Sequence, residues 1–369
     1  MSDQLRVIQV IPSLLKGGAE RLVLDICHEL KSMGHEVLLI NFRPDSAYDF
    51  MLEGINREVI PSRVVPSITG KWDVDVEHLN ERIREFAPDV IHSHLFESEI
   101  VLSKVDLNNT ITVAHFHDNM PQLSKSFPIS KQIIARRYER RHMLSCYKTR
   151  NTKFVTISDD TYNFARNNLP VQHKVIKLLN AVNLDRFDAP FASHEEFRMV
   201  MIGSLVEKKG QQLAIEVALE LKNRGIDCHL DLLGDGPLRN DLEAFVQKND
   251  LSTFVHFHGN VDHPEDYLKL ASIYLHTAKY EPFGLVIIEA MAASLPVVCT
   301  DGIGNRVLIE NEKNGFLVPE RSAKQIADHV ERLKSDEFER RTIALSGKSF
   351  SRKFDISNYT ERLLNIYLS

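Results

Sequence analysis

The feature that most constrains this sequence is an alternation of short apolar runs with segments of helical periodicity, which occurs twice along the chain. The strand-like runs of the first series are Arg6–Pro12, Glu36–Phe42, Asp89–His92, Thr110–Phe116 and Lys153–Ile157. Those of the second series are Phe197–Gly203, His229–Gly234, Phe254–Gly259, Ile273–His276 and Pro296–Thr300. Strands that alternate with helices form parallel sheets with helices on both faces. The pattern therefore predicts an α/β fold of two doubly wound domains that face each other across a cleft.

The domain boundary is predicted from length and from a change of pattern. The chain has 369 residues, whereas a single domain commonly has roughly 150. The stretch Asn183–Glu196 is polar, contains Pro190 and lacks periodicity, as is typical of a segment between domains. We therefore expect one domain over residues 1–182 and a second over residues 183–352.

Composition excludes several classes of protein. No apolar run reaches the about 18 residues needed to span a membrane, and the N-terminus lacks the pattern of a signal peptide. The net charge is −6, which argues against general nucleic-acid binding. The four cysteines are far apart and form no CxxC pair, so neither a disulfide framework nor a zinc site is predicted. These features favour a cytoplasmic protein.

A dinucleotide-dependent dehydrogenase is also excluded by the residues that follow the first two predicted strands. No GxGxxG follows Pro12, and Phe42 and Arg43 stand where an acid for the cofactor ribose belongs. A dinucleotide site needs both the glycine-rich turn and that acid.

The segment EPFGLVIIE, from Glu281 to Glu289, is the most informative for chemistry. Pro282 and Gly284 indicate a turn, and Leu285–Ala293 has the composition of a helix. The start of a helix has free backbone N–H groups that bind phosphate. Glu281 would lie beside the anion, and Glu289, one turn inside the helix, could accept hydrogen bonds from a ribose diol. A buried apolar helix with two solvated glutamates explains the segment equally well.

Five other stretches accompany this E-x-F-G-x-x-x-x-E run. They are Gly17-Gly18-Ala19-Glu20, His117-Asp118, Gly203–Gly210 (GSLVEKKG), Gly234–Pro237 (GDGP) and Asn314-Gly315-Phe316-Leu317. In this order, over nearly the whole chain, the set resembles the retaining glycosyltransferases of family 4, also called group 1, which have the GT-B fold of two Rossmann-like domains. The resemblance implies that the second domain binds a nucleotide-sugar donor and the first an acceptor. It also implies a C-terminal helix, about 353–369, that packs back on the first domain.

The resemblance implies specific roles in the predicted donor domain. Glu281 would contact hydroxyl groups of the donor sugar, and Glu289 would hold the ribose. Gly284 and Leu285 would donate backbone N–H groups to the distal phosphate. Lys209 would grip the diphosphate.

The resemblance also implies roles in the predicted acceptor domain, and one position departs from the family. Gly17 and Gly18 would lie near the donor phosphates, and His117 would face the donor sugar and stabilise charge near the reacting centre. Ser204 stands where the family has an arginine on the diphosphate, and serine supplies neither the charge nor the planar fork of that side chain. Lys208 and Arg306 are the candidates to replace it.

The reaction implied is transfer of a sugar, with retention, from a nucleotide-diphosphate sugar to a hydroxyl acceptor. A UDP-sugar is favoured over a GDP-sugar, and surface polysaccharide or lipid-linked glycan is the expected product. No metal or other cofactor is expected. Two alternatives stay open: another GT-B activity on a sugar nucleotide, such as an epimerase or hydrolase, and a catalytically weak nucleotide-sugar-binding subunit, which Ser204 favours.

Two motifs have metal-like spacing. His92 with His94, and His115 with His117, alternate along predicted strands, so each pair faces one side of a sheet. Asp73-Val74-Asp75 is similar to the DxD of metal-dependent transferases of a different fold, but it precedes a helical pattern and is predicted to cap that helix. We expect no metal at either place.

The stretch Lys131–Arg150 contains seven Lys/Arg and, as its one acid, Glu139. One interpretation is a helix whose apolar residues, Ile134 among them, pack and whose basic face is solvated. The other is a surface that meets anionic lipid or a polyprenyl-phosphate acceptor, which would place the protein peripherally at the inner face of a membrane.

Overall fold

The structure is a computed structural model that describes residues 4–64, 72–107, 110–126, 133–170 and 173–369. It divides into two compact units. The first comprises Met1–Ala181 together with Ile356–Ser369, and the second comprises Val182–Asp355. In the part of the chain that is described, no helix combines the length and apolar character needed to cross a membrane.

Strands and helices alternate through most of the chain. The strands are β1 Arg6–Ile11, β2 Glu36–Asn41, β3 Asn56–Val59, β4 Ser62–Arg63, β5 Asp73–Val74, β6 Val90–His94, β7 Ile111–Phe116, β8 Thr152–Thr156, β9 Val175–Lys177, β10 Arg198–Ile202, β11 His229–Leu233, β12 Val255–Gly259, β13 Ile273–His276, β14 Val297–Thr300 and β15 Phe316–Val318. The helices are α1 Gly18–Ser32, α2 Val76–Phe86, α3 Leu95–Leu102, α4 Ile133–Thr149, α5 Asp159–Asn168, α6 Gln211–Asn223, α7 Arg239–Lys248, α8 Pro264–Leu270, α9 Leu285–Ala292, α10 Ala323–Ser335, α11 Glu337–Ser351 and α12 Ile356–Leu368.

The first unit is built on a parallel sheet of seven strands in the order β3-β2-β1-β6-β7-β8-β9. Apolar strand residues are buried on both faces because helices cover each side. The C-terminal helix α12 completes this unit. Its Tyr359, Leu363 and Tyr367 lie in the same apolar core as Leu22 and Ile26 of α1. A helix from the end of the chain therefore forms part of the first core.

The second unit contains a parallel sheet of six strands in the order β12-β11-β10-β13-β14-β15. The two sheets confirm the predicted α/β class with doubly wound units. Every predicted strand-like run contains a strand. Within these two sheets the sequence patterns missed β3, β9 and β15, which are three or four residues long and lie at sheet edges; they also missed β4 and β5, two residues each, which pair with one another. An edge strand is half covered, so it lacks the continuous apolar run of a central parallel strand.

The predicted linker Asn183–Glu196 is a packed part of the second unit, so that prediction was wrong. Phe187 is fully buried. Arg186 forms an ion pair with Glu265 at 2.9 Å, and the carbonyl oxygen of Ala189 accepts hydrogen bonds from Ser294 and Lys348. The polar composition of this stretch reflects hydrogen bonding to neighbouring helices.

Candidate active site

The candidate donor residues lie at the carboxyl ends of the strands in the second sheet, where ligands of doubly wound folds bind. Lys209 is in the loop after β10, and Glu281 is in the loop after β13. The loop after β14 contacts the Glu281 backbone on both sides: Glu281 N–H donates to the carbonyl of Gly302 at 2.8 Å, and Gly304 N–H donates to the carbonyl of Glu281 at 3.0 Å. Three loops therefore meet at Glu281.

The side chains of Lys209 and Glu281 form a direct ion pair. Lys209 Nζ lies 2.6 Å from Glu281 Oε2, and His276 Nε2 lies 3.4 Å from the same oxygen. Glu281 is 7% exposed. Burial alone would raise the pKa of its carboxyl group, but the contact with His276 and the charge of Lys209 outweigh burial and lower that pKa to about 2. Glu281 is thus an anion throughout the physiological pH range.

The loop that carries Lys209 is fixed by a close backbone approach at Gly210. Gly210 has φ +73°, and a Cβ there would lie 2.1 Å from the carbonyl oxygen of Thr277. Thr277 Oγ1 donates to the Gly210 carbonyl at 2.8 Å, and Arg321 donates to the Thr277 carbonyl at 2.9 Å. Only glycine fits this contact, which holds Lys209 against the loop of Glu281.

Gly284 precedes α9 with φ +104° and therefore turns the chain into the helix. The backbone N–H groups at this helix start, those of Gly284 and Leu285 among them, suit an anion. Glu289 lies on α9 and is buried. The interpretation of two solvated glutamates is therefore wrong, since both Glu281 and Glu289 are buried.

Asn305 was missed by the sequence analysis. Its side chain accepts from Gly302 N–H at 2.9 Å and donates to the carbonyl of Thr300 at 3.0 Å, in a fully buried position. It fixes the loop that clamps Glu281. An asparagine directly after a glycine, in the loop that follows β14, is the sequence signal that could have indicated it.

Ser204 is exposed. The side chains of Lys208 and Arg306, the two candidates to supply the charge of the family's arginine, are exposed as well. Arg306 forms an ion pair with Asp301 at 2.6 Å and is 60% exposed. Arg306 follows directly on Asn305, in the loop that clamps Glu281, so it is the better placed of the two.

In the first unit, Gly17 and Gly18 form the start of α1. The hydroxyl group of Tyr48 forms two hydrogen bonds with the Gly17 backbone. It accepts from the Gly17 N–H at 3.0 Å and donates to the Gly17 carbonyl at 2.9 Å. The carboxyl group of Glu20 folds back over Gly17, where a Cβ would meet Oε2 at 2.2 Å. Burial raises the pKa of Glu20 to about 7 although its own backbone N–H opposes the shift.

This raised pKa predicts a pH-dependent cost of folding. The carboxyl group is protonated in both states below about 4.5, so it costs nothing there, and the cost grows until the pH passes about 7. We expect Glu20→Gln to raise Tm at pH 8 and to leave it unchanged at pH 4.5. Thermal unfolding at the two pH values measures this, and an equal change at both would contradict it.

His117 belongs to a buried cluster of four histidines at the ends of β6 and β7. His94 Nδ1 lies 2.8 Å from His117 Nε2, and His94 Nε2 lies 2.8 Å from Gln9 Oε1. Burial lowers the pKa of His117 to about 3, and lowers those of His92, His94 and His115 well below the usual value. The cluster is therefore neutral.

Ring nitrogens of His92, His94 and His115 lie within 4.8 Å of one another, a spacing that a metal could use. Both nitrogens of His94 already have protein partners, and His92 Nδ1 lies 2.7 Å from Tyr367 Oη. A metal would have to break one of these contacts. The structure accounts for the cluster more simply as a hydrogen-bonded network, to which Gln9 and Tyr367, both missed by the sequence analysis, belong.

The remaining predicted features are local. Asp75 is the N-cap of α2 and accepts from His78 N–H at 3.1 Å, which confirms the predicted capping role. In the basic stretch, residues 131 and 132 lie outside the described residues. Ile134 is 66% exposed, so the expectation that it packs was wrong.

Comparisons with known proteins agree with this arrangement. The family model described as Glycosyltransferase Family 4 matches residues 16–186, and that described as Glycosyl transferases group 1 matches residues 185–349. The chain is 33% identical over 172 residues to the alpha-D-kanosaminyltransferase of Streptomyces kanamyceticus, a match that covers 46% of this chain and 45% of that protein. It thus spans about half the length of that relative. With the glycosyltransferase EpsF of Bacillus subtilis it shares 24% identity, over 83% of this chain and 82% of that one.

Solved structures show the same fold at low identity. The crystal structure of Anabaena HepE in complex with UDP and glucose superposes with a TM-score of 0.81 at 19% identity, covering 99% of this chain and 100% of that one. The structure of WaaG, a glycosyltransferase involved in lipopolysaccharide biosynthesis, gives 0.72 at 17% identity, with 98% and 99% covered. Together with the two family matches, these results show that the chain belongs to the group 1 glycosyltransferases of GT-B type.

Proposed function

We propose that this protein transfers a sugar, with retention of configuration, from a nucleotide-diphosphate sugar to a hydroxyl group of a growing glycan. The observation that carries the proposal is the ion pair between the half-buried Lys209 and the buried Glu281, beside the helix start at Gly284 and Leu285. It combines a cation and free N–H groups, which suit a diphosphate, with a carboxylate, which suits sugar hydroxyls.

The charges of this site fit stabilisation of a leaving diphosphate. As the bond between the sugar and the diphosphate breaks, negative charge grows on the phosphate oxygens. Lys209 has three N–H donors, so it can keep Glu281 and still bind a phosphate oxygen. Because it is already held in place, little reorganisation is needed during the reaction. Glu281, with a pKa of about 2, accepts hydrogen bonds and does not supply a proton.

Retention follows from attack on the same face as the departing diphosphate. The acceptor oxygen forms its bond to the sugar carbon as the bond to the phosphate oxygen breaks. The acceptor proton passes to that phosphate oxygen, so no protein base is needed. Glu289 would hold the ribose, and the family resemblance assigns His117 to the donor sugar.

The donor is proposed to be a UDP-sugar and the reaction to need no metal. UDP is favoured because HepE was crystallised with UDP and with UDP-glucose. A product in surface polysaccharide is favoured because relatives include an amylovoran biosynthesis glycosyltransferase of Erwinia amylovora, 31% identical over 166 residues. Lys209 and the start of α9 would supply the positive charge that a metal supplies in other transferases.

A thermal-shift screen against UDP, GDP and ADP, each with magnesium or with EDTA, tests donor class and metal dependence together. Binding to the native state raises stability by RT ln(1 + [L]/Kd). Of the three nucleotides, we expect only UDP to raise Tm, and we expect the same increase in magnesium and in EDTA. A shift that needs magnesium would contradict metal independence, and a larger shift with GDP would contradict the donor base.

The two alternatives make different predictions in one assay of donor turnover. A hydrolase or epimerase consumes the donor without an acceptor, whereas a transferase needs one. A catalytically weak subunit binds the nucleotide but shows no turnover of the donor with any of the acceptors tested. Its support is Ser204, whose missing charge Arg306 would have to replace, so Arg306→Gln should weaken nucleotide binding if the enzyme is active.

We also propose that α4 contacts anionic lipid at the inner face of a membrane. Arg137, Arg141 and Lys148 are exposed, and together with the exposed Ile134 they lie at spacings that place all four on one face of the helix. Glu139 is buried on another face. An apolar residue among cations on one face suits a surface of anionic lipid.

Vesicle sedimentation tests this contact. We expect binding to vesicles that contain phosphatidylglycerol, none to pure phosphatidylcholine, and weakening by salt because the attraction is screened. The double variant Arg137→Gln/Arg141→Gln should lose most of the binding. Lys313→Gln, at an exposed position of the second unit, is the control, and equal loss in the control would contradict the assignment.

A further inference from the structure

Gln211, the first residue of α6, holds the turn that follows β10. It is buried, and its side-chain Nε2 lies 3.1 Å from the carbonyl oxygen of Gly203 and 2.9 Å from that of Ser204. A carbonyl oxygen can only accept a hydrogen bond, so the group that faces both oxygens must be the NH₂ group of the amide. The orientation of the Gln211 side chain is therefore fixed by its two partners.

Both backbone groups of Gly203 point toward β11 and the loop that follows it. The N–H of Gly203 donates to the carbonyl of Leu233, the last residue of β11, at 2.9 Å. A Cβ atom at Gly234, in the loop after β11, would lie 2.2 Å from the Gly203 carbonyl oxygen. Only a glycine at position 234 permits this approach. The Gly203 carbonyl group is thus held between Gly234 and the amide of Gln211.

The N–H of Ser204 consequently faces the other way. The C=O and N–H groups of a planar trans peptide unit point in opposite directions, so the peptide bond between Gly203 and Ser204 turns its N–H away from β11. Strand β10 lies between β11 and β13 in the sheet. This N–H therefore faces the side of β13, whose following loop contains Glu281. It donates to no group in the described part of the chain.

The turn also lies beside the side chain that we assign to the diphosphate. Atoms Cγ and Cδ of Lys209 lie 3.8 Å from the Cβ position of Gly203, and Nζ of this lysine lies 2.6 Å from Glu281 Oε2. The next residue, Ser204, is exposed. Next to Lys209 the chain thus has one free N–H and one hydroxyl group, both of which can donate to an oxygen of an anion.

We propose that Gln211 is a positioning residue, which holds the Gly203–Ser204 peptide bond so that the N–H and hydroxyl group of Ser204 bind an oxygen of the nucleotide diphosphate. The inference rests on the proposed function for the identity of the anion. The orientation of the peptide bond is a property of the ligand-free protein. Ser204 thereby supplies hydrogen bonds, but no charge, where the family has an arginine, so the missing charge is still expected from Arg306.

Calorimetric titration of the full-length protein with UDP and with uridine tests this role, because uridine has the base and the ribose but no phosphate. Gln211→Met removes the two N–H donors and roughly keeps the size of the side chain. We expect it to raise Kd for UDP about 10-fold, since hydrogen bonds to a charged group are lost, and to leave Kd for uridine unchanged. Gln212→Met is the matched control: this glutamine donates to Glu216 at 3.1 Å and should be replaceable without effect on either ligand.

Ser204→Ala separates the contact from the residue that positions it. It removes a hydroxyl group from an exposed side chain, so it is expected to fold even if Gln211→Met does not. We expect Kd for UDP to rise about 5-fold. Added to Gln211→Met, the same change should cause no further rise, because both variants act through one residue.

An unchanged Kd for UDP in Ser204→Ala, or in a folded Gln211→Met, overturns the inference. Equal weakening of UDP and uridine in Gln211→Met, or effects that multiply in the double variant, would show that Gln211 only supports the fold. A wild type that binds neither ligand would instead count against the proposed function. Inorganic pyrophosphate, which needs no recognition of a base, then tests the anion contact, with the same order of affinities expected among the variants.

Discussion

Lys209→Met is expected to lower kcat/KM for the donor by about 100- to 1,000-fold, the range found when one preorganised electrostatic donor is removed. Methionine keeps roughly the length of the side chain and removes the charge that we propose binds the diphosphate. It also leaves the buried Glu281 without the cation at 2.6 Å. We therefore expect the pKa of Glu281 to rise, because burial is then opposed mainly by His276.

Steady-state transfer kinetics as a function of donor concentration and pH measure both effects. Lys269→Met is the matched control: it removes the same charge from an exposed lysine of α8, which pairs with Asp266 at 3.9 Å, away from the loops of Lys209 and Glu281. We expect wild-type kinetics in the control. Activity in Lys209→Met within a few-fold of the wild type would show that the ion pair has no part in catalysis.

Gly210→Ala is expected to cost about 3 kcal/mol or more of folding free energy, because the new Cβ must displace backbone. The clash is with the Thr277 carbonyl, 2.1 Å from the Cβ position, and φ is +73°. Relief of this clash would separate the loops of Lys209 and Glu281. We therefore expect loss of nucleotide binding even at temperatures where the variant remains folded.

Gly225→Ala separates the clash from the cost of the backbone conformation. Gly225 has nearly the same φ, +72°, but nothing lies within 4 Å of its Cβ position, so about 1 kcal/mol is expected. Urea unfolding followed by circular dichroism, together with calorimetric titration of UDP, measures both variants. Equal loss of stability in the two would mean that the contact with Thr277 relaxes at no cost.

The order of strands and helices could be predicted because each element leaves its own pattern of apolar residues in the local sequence. A central strand such as β1 is covered on both faces, so its side chains form an apolar run that is visible without knowledge of its neighbours. The short edge strands β3, β9 and β15 lack that run. The same limit explains why 183–196 was mistaken for a linker and why Ile134 was expected to pack: burial depends on what lies opposite, which a local pattern does not contain.

The family motifs also indicated the loops that form the candidate donor site, but not the state of the groups within it. Lys209 and Glu281 are 72 positions apart, and the sequence could not show that they pair. Nor could it show the approach of His276 or the clamp by Asn305. Both lie in segments whose local pattern reads as strand or loop.

The sequence by itself determined the α/β architecture, the places of the loops at the strand ends, and the residue types in the candidate donor loops. Only the tertiary structure decided the ionisation of Glu281 and the hydrogen-bonded network that joins Tyr367 and Gln9, 358 positions apart, to the buried histidines. The physical reason is that a pKa or a hydrogen-bonded network depends on burial and on the charges and donors within a few ångströms. Those neighbours are brought together by folding across the whole chain.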